Sequence, residues 1–314
     1  MKVLLHYAAG PEWRRRLAAL AAEGLTVDCC AAEDEAGFQA ALPQAEVLWH
    51  VLRPLAADDI ARAKRLRLIQ KIGVGVNTID LAAAKARGIA ICNMPGTNSR
   101  AVAEMTLLLM LACLRRLPLL DRAVRVGVGW RLDPALQDGF GELAGRAVGL
   151  LGYGAVPQCL TPILLAMGAR PAYWATAPKP DVAIPFRPFE TLLQDSDIVS
   201  LHLPLTEATR GIIDAAALAR MRPGAILINT ARGELVDATA LHAALASGRL
   251  RGAGLDVFAP EPVPADDLLL ALDTVVLAPH LAWLTAGTLE RSLAVAVENC
   301  RRLARGAPLL HRVA

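Results

Sequence analysis

Arg232, Glu261 and His280 are the residues of this 314-residue chain whose types and placement point most directly to chemistry. Each stands just past an apolar run. Arg232 follows Ile226-Leu227-Ile228-Asn229-Thr230-Ala231, Glu261 follows Leu255-Asp256-Val257-Phe258-Ala259-Pro260, and His280 follows Val275-Val276-Leu277-Ala278-Pro279. Such runs predict buried parallel strands, and open α/β sheets bind ligands beyond the carboxyl ends of their strands. A planar guanidinium can clamp a carboxylate through two parallel hydrogen bonds and polarise the neighbouring carbonyl. An imidazole titrates near working pH and can pass a proton to that carbonyl oxygen as hydride reaches the carbon. A carboxylate beside the imidazole orients it and favours its protonated form. Singly, the three read as a turn cation, a loop acid and a satisfied loop histidine. At three strand ends in one series they point to reduction of a small 2-keto acid.

Hydride transfer calls for a nicotinamide cofactor, and Gly152-Tyr153-Gly154-Ala155-Val156-Pro157 has the context of a dinucleotide loop. It follows the apolar run Ala147-Val148-Gly149-Leu150-Leu151 and opens a helical stretch. Gly152 permits the tight turn, Gly154 lets the backbone approach a pyrophosphate, and the free N–H groups of the helix start supply an anion site. Pro157 replaces the third glycine, and a proline is tolerated in a first helical turn. The next strand, predicted over 170–175, should end in an acid for the ribose hydroxyls, but it ends in Ala175 and Thr176. Without that carboxylate a 2′-phosphate is not repelled, and Thr176 and Lys179 are placed to receive one, so both NAD and NADP are expected. Pro162 inside the helix and Pro171 inside the strand break local rules.

Regular elements must carry these loops, and 3–7, 25–29, 47–52, 68–72 and 89–92 read as strands. A helix opened by Pro11 and closed by Gly24, and others over 57–67 and 79–87, alternate with them. A long apolar helix spans 98–117; the pattern breaks at Pro118, and 121–143 reads as a connecting arm. A second βα series runs through 147–151, 198–203, 225–229, 254–258 and 275–277, and a last helix covers 286–303. This predicts an α/β protein of two Rossmann-like domains with parallel sheets and an active-site cleft between them. At 54% hydrophobic and 20% charged residues the chain should fill its core, and a net charge of +3 argues against nucleic acid or membrane as partner. Six cysteines without a C-x-x-C pair read as thiols of a cytoplasmic protein, with no metal site expected. His6 and the charged residues 12–16 interrupt the N-terminal apolar run, so no cleavable signal is expected.

Several segments carry a resemblance. They are Lys71 to Asp80 (KIGVGVNTID), Asn93 to Asn98 (NMPGTN), Val102-Ala103-Glu104, His202 to Thr206 (HLPLT), Ile228 to Gly233 (INTARG), Gly254 to Phe258 (GLDVF), Glu261-Pro262 and Pro279 to Trp283 (PHLAW). With them the chain resembles the D-isomer-specific 2-hydroxyacid dehydrogenase family over nearly its whole length. The resemblance implies that Arg232 orients the substrate, His280 is the acid/base and Glu261 supports it. Backbone N–H groups of Val74 and Gly75 would bind the substrate carboxylate, with Leu52 and Trp283 on the substrate side; Arg53 beside Leu52 is expected to be solvated. Ala155 and Val156 would meet the pyrophosphate, Thr230 and Ala231 the nicotinamide side, and Asp256 the carboxamide, with His202, Leu203 and Pro204 completing the cofactor wall. Residues 1–97 plus 284–314 would form a flavodoxin-like substrate-binding domain and 98–283 the dinucleotide-binding domain, in a homodimer joined through 98–117 and the arm. The Trp283 form of the histidine motif is similar to that of hydroxypyruvate and glyoxylate reductases, with packing of the last helix as its plain alternative. Formate dehydrogenases carry glutamine where this chain has Glu261, which argues against formate. Phosphoglycerate dehydrogenase stays open, although no appended regulatory domain is expected. A non-catalytic nucleotide sensor or corepressor is the competing class, and its support is Pro157, Pro162, Pro171 and Ala175.

Overall fold

Residues 47–50 and 68–71 are buried at every position, as inner strands of a sheet covered on both faces are. The computed structural model describes residues 1–131 and 133–314, so one position of the expected arm, Leu132, lies outside the described residues. The chain divides into two units, Met1–Asn98 with Thr285–Ala314, and Ser99–Leu284.

The first unit holds strands β1 (Lys2–His6), β2 (Thr26–Cys30), β3 (Val47–His50), β4 (Leu68–Lys71) and β5 (Ala90–Cys92). Helices α1 (Pro11–Ala19), α2 (Glu35–Ala41), α3 (Ala57–Arg62) and α4 (Leu81–Ala86) connect them. The sheet is parallel in the order β2-β1-β3-β4-β5. Leu4, Leu48, Ile69 and Ile91 pack with Phe38, Leu42 and Ile60 on one face. Pro11 starts α1 and Gly24, in the left-handed region (φ 79°), stops the 3-10 turn that follows it, as their residue types dictate. α3 ends at Arg62, short of the expected 67.

The second unit begins with α5 (Ser99–Arg115) and α6 (Leu117–Arg125). Pro118 does not end helical structure there; it sits in the first turn of α6, where its missing N–H costs nothing. Then come β6 (Ala147–Leu151), α7 (Ala155–Ala166), β7 (Arg170–Trp174), α8 (Phe189–Asp195), β8 (Ile198–Leu201), α9 (Ala215–Arg220), β9 (Ala225–Asn229), α10 (Ala238–Ala246), β10 (Leu250–Leu255) and β11 (Val275–Leu277). Their sheet is parallel in the order β11-β10-β9-β8-β6-β7. Ile226 and Ile228 face one core, with α5 and α7, while Ala225 and Leu227 face the other, which is strand alternation in a sheet covered on both sides.

Two strands depart from the sequence reading for identifiable reasons. β10 starts at Leu250 rather than 254, and its glycines hide it: a Cβ at Gly254 would lie 2.9 Å from both Leu109 Cβ of α5 and Ile228 Cδ1. Pro171 is tolerated because β7 is the sheet edge. Arg170 N donates inward to Arg146 O (2.8 Å) and Tyr173 N donates outward to Pro185 O (2.9 Å), so Pro171 takes an outward position and no ladder bond to β6 is lost.

The last helix, α11 (Ala286–Arg305), belongs to the first unit and packs on β4, where buried Asn299 donates to Gln70 Oε1 (2.6 Å). Beyond it, Ala314 O accepts from Ile91 N (3.0 Å) and Ile91 O from Val313 N (2.8 Å), so the C-terminal segment covers the β5 edge. Among the described residues no helix is long and apolar enough to cross a membrane.

Candidate active site

Arg232 is set by a turn that Asn229 builds at the end of β9. Asn229 Oδ1 accepts from Ala231 N (3.0 Å) and its Nδ2 donates to Arg232 O (2.8 Å). Gly233 then brings this loop against the one after β10: a Cβ there would lie 2.0 Å from the carbonyl carbon of Phe258. No side chain fits, and the contact joins the Arg232 loop to the strap carrying Glu261. Arg232 is half-buried, and desolvation lowers its guanidinium against the opposing pull of Glu234 and Glu261.

Glu261, between Pro260 and Pro262, is fixed at both oxygens. Oε1 accepts from Phe258 N (2.9 Å), and Oε2 accepts from His280 Nδ1 (2.6 Å). Burial alone would raise its carboxyl. The bond and charge of His280, the Phe258 N–H and the Arg232 charge outweigh that and hold it below its ordinary value. The proton on His280 Nδ1 is therefore committed, leaving Nε2 as the reactive nitrogen.

The His280 backbone takes the left-handed conformation (φ 55°), which is uncommon for any residue but glycine. Asp256 imposes it. Its carbonyl accepts from His280 N (2.7 Å), and its carboxylate oxygens accept from Leu281 N (2.9 Å) and Ala282 N (3.0 Å). Both of its carboxylate oxygens thus hold the turn that carries His280, and each keeps a second lone pair, as the expected contact with a carboxamide would need. Trp283 is buried and donates through Nε1 to His280 O (3.1 Å), so it braces the same turn.

At the other end of this sheet edge, Gly152 (φ 96°) crosses behind the loop after β8, where a Cβ would meet His202 O at 2.6 Å. Gly154 is the N-cap of α7 and has no side-chain cap; around it a Cβ would meet nothing within 4 Å. The N–H groups of Ala155 and Val156 open the helix beside that free space, and Pro157 contributes none. Those donors and that room fit a pyrophosphate. His202 donates or accepts at Ser200 Oγ (3.0 Å), and burial pushes its imidazole down to about 3, so it is neutral. Leu203 lies over Gly152, with its Cδ2 3.2 Å from the position of a Cβ there, and Pro204 O accepts from Thr209 Oγ1 (2.7 Å). Thr230 Oγ1 bonds Thr106 Oγ1 of α5 (2.9 Å). Ala175 is buried in the Tyr153 and Tyr173 cluster, and Thr176 beyond it is exposed.

In the first unit, the loop after β4 presents Val74, 46% exposed, and Gly75. Gly73 O accepts from Met94 N (2.8 Å) and Val74 O from Asn93 Nδ2 (3.0 Å). In planar trans peptides the N–H points opposite to the carbonyl, so anchoring these two carbonyls turns the N–H groups of Val74 and Gly75 the other way, as a pair of anion donors. Asn93, whose amide sets this arrangement, is a residue the motif contained without revealing its role. Leu52 is half-buried. Arg53, expected in solvent, is instead paired with buried Asp59 (3.0 Å) and with Glu35 (2.7 Å), and lies over the Phe38 ring (4.7 Å).

Comparison with known proteins gives this arrangement its family. Residues 107–282 match the NAD-binding domain of the D-isomer specific 2-hydroxyacid dehydrogenases. A glyoxylate reductase of Korarchaeum cryptofilum is 38% identical over 260 residues, covering 81% of this chain and 77% of that protein. A hydroxypyruvate reductase of Thermotoga maritima is 39% identical over 269 residues, covering 83% and 85%. The crystal structure of the TT0316 protein from Thermus thermophilus superposes with a TM-score of 0.90 at 38% identity, covering 100% of both chains.

Proposed function

The chain belongs to the D-isomer-specific 2-hydroxyacid dehydrogenase family, and from that premise we propose that it reduces glyoxylate, hydroxypyruvate or a 2-keto acid of similar size. The observation that carries this reading is the 2.6 Å pair of His280 and Glu261, on a turn built to hold it, within the electrostatic reach of Arg232. Arg232 binds and polarises the keto acid. His280 Nε2 hands a proton to the carbonyl oxygen, and Glu261 stabilises the imidazolium before transfer and keeps Nε2 aimed. The backbone N–H groups of Val74 and Gly75 take the substrate carboxylate. Arg53, held by Asp59 and Glu35, is unavailable to a phosphorylated tail, which favours the smaller acids over a phosphoglycerate.

The bound nicotinamide supplies the hydride. Gly154, Ala155 and Val156 hold its pyrophosphate, and with Ala175 in place of an acid the loop through Thr176 accepts both NAD and NADP. The exposed apolar residues of α5, α6 and the arm, among them Leu117, Val124, Val126 and Trp130 (90% exposed), support a homodimer through this face. Six free thiols support a cytoplasmic location. Pro171, which favoured a sensor on sequence grounds, sits on the sheet edge, where no ladder bond is lost.

The test is oxidation of NADH and of NADPH followed with glyoxylate, hydroxypyruvate, pyruvate and bulkier keto acids. Turnover is expected with the first two. Cofactor binding without turnover on any acid would replace the enzyme by a nucleotide sensor.

A further inference from the structure

The carboxyl edge of the first sheet carries polar side chains that the reaction above does not use. In register across β1, β3 and β4, His6 pairs with His50 and His50 with Lys71. Residues paired in register project to the same face, so the two imidazoles and the ammonium form one row. All three are buried, Lys71 to 5% exposure. His50 Nε2 lies 2.6 Å from Arg53 O, which can only accept, so Nε2 carries the proton and the Nδ1 lone pair is turned to Lys71 Nζ at 3.4 Å. Burial, and then the Lys71 charge, keep His50 neutral.

Lys71 Nζ also donates to Val51 O, in the loop after β3, and to Thr78 Oγ1 (3.3 Å), at the far end of the loop after β4. The same two loops share Leu55 N to Thr78 O (2.8 Å) and Asp80 N to Leu55 O (3.0 Å). One ammonium at the root of the segment bearing Val74 and Gly75 thus ties the far end of that segment to the loop after β3. Its stem lies under that segment, with Lys71 Cε the nearest atom, 3.9 Å from where a Gly73 Cβ would be. Two N–H groups attract an anion only at hydrogen-bond range, whereas an ammonium that anchors their loop from a low-dielectric interior extends that attraction.

We propose that Lys71 is a positioning residue for substrate recognition: it sets the 73–75 loop and supplies the buried charge that draws a carboxylate to it. This rests on the assignment of the substrate carboxylate to Val74 and Gly75. The experiment is the Lys71→Met variant, with Lys71→Arg beside it, compared with wild type in KM and kcat for glyoxylate, NADH affinity by fluorescence, and oxamate affinity of the NADH complex by calorimetry. For Lys71→Met, KM and the oxamate Kd are expected to rise together by about 10- to 100-fold, as for loss of a charge-assisted hydrogen-bonding group. The kcat and NADH affinity are expected to hold within about threefold, and Lys71→Arg to recover most of the loss, since it keeps the charge. Wild-type KM and oxamate affinity in Lys71→Met would overturn the proposal, as would a loss confined to kcat. Should Lys71→Met not fold, Thr78→Val removes one clip alone, and an unchanged KM there is equally fatal. Asn93→Ala, which frees the Val74 carbonyl, separates the premise: if it leaves KM and oxamate affinity untouched, the loop does not hold the carboxylate and both readings fall.

Discussion

At the carboxyl edge of the first sheet the charged and titratable groups lie inside the protein, with Lys71, His50 and His6 in a row across three strands. At the same edge of the second sheet they stand in loops, with the side chains of His280 and Glu261 still 21% and 32% exposed. The difference matches the two roles proposed above. A proton donor has to be reached by its substrate, so His280 is held by a turn, an aspartate cap and a partner carboxylate while one ring nitrogen stays open. A group that shapes a loop works best where water cannot compete, so Lys71 is committed to a carbonyl, a hydroxyl and an imidazole.

The sharpest way to break this contrast is to remove the exposed donor. His280→Ala is expected to lower kcat about 10²- to 10⁴-fold, the usual worth of a positioned acid/base, with cofactor affinity unchanged. Retained turnover would move the proton donor elsewhere. Glu261→Gln keeps the shape of the pair and removes its charge. It should cost less, about 10- to 100-fold in kcat/KM, in line with a charge-assisted bond. In the wild type the Glu261 carboxyl is held below its ordinary value, so its contribution is present at neutral pH and lost as pH falls through that lowered value. An acid limb of stability or activity that is identical in Glu261→Gln would refute this.

The buried row makes the opposite demand on pH. His50 is pushed down to about 3 by burial and then by Lys71, and His6 to about 4 by burial and then by Arg53. Both fold neutral, so below the unfolded value of 6.5 the unfolded chain binds more protons and stability falls with pH. Each contributes at most about 1.4 kcal/mol per pH unit, or about 2 kcal/mol between pH 6.5 and 5. Urea unfolding at pH 7, 6 and 5 should show that slope, and His50→Gln should remove roughly half of it if the two histidines act alike. A slope unaltered in His50→Gln would mean that the row is protonated in the folded protein.

This contrast also decides what could be read without coordinates. Arg232, Glu261 and His280 were legible because each follows its own strand and the chemistry needs those types in loops. The turn and helix start over 152–156 were legible for the same reason, although Pro157 blurred them. The row of His6, His50 and Lys71 was not, because its members come from three strands whose neighbours are fixed by sheet order and register. The structural role of Asp256 was hidden for a related reason: its partners, Leu281 and Ala282, reach it from the far side of β11. The parallel strands were largely visible as apolar runs, and β10 shifted because Gly252 and Gly254 make room for neighbours no local pattern contains. Pro171 looked wrong only until β7 proved to be the edge.

Pro162 offers the smallest test, and it bears on the cofactor side alone. In α7 it removes the N–H that would bond Gln158 O, and both residues lie on the exposed face, where water can take the carbonyl. An interior proline costs about 3 kcal/mol in a helix that cannot adapt. Solvation of the freed carbonyl should reduce that, so Pro162→Ala is expected to stabilise the protein by only about 1 kcal/mol. Thermal unfolding reads the gain, and cofactor titration should show no change, because the donors beside the free space at Gly154 lie at the opposite end of the helix. If cofactor affinity moves with Pro162→Ala, the irregular helix is part of the nucleotide site, and its proline is kept for binding rather than merely tolerated on the solvent face.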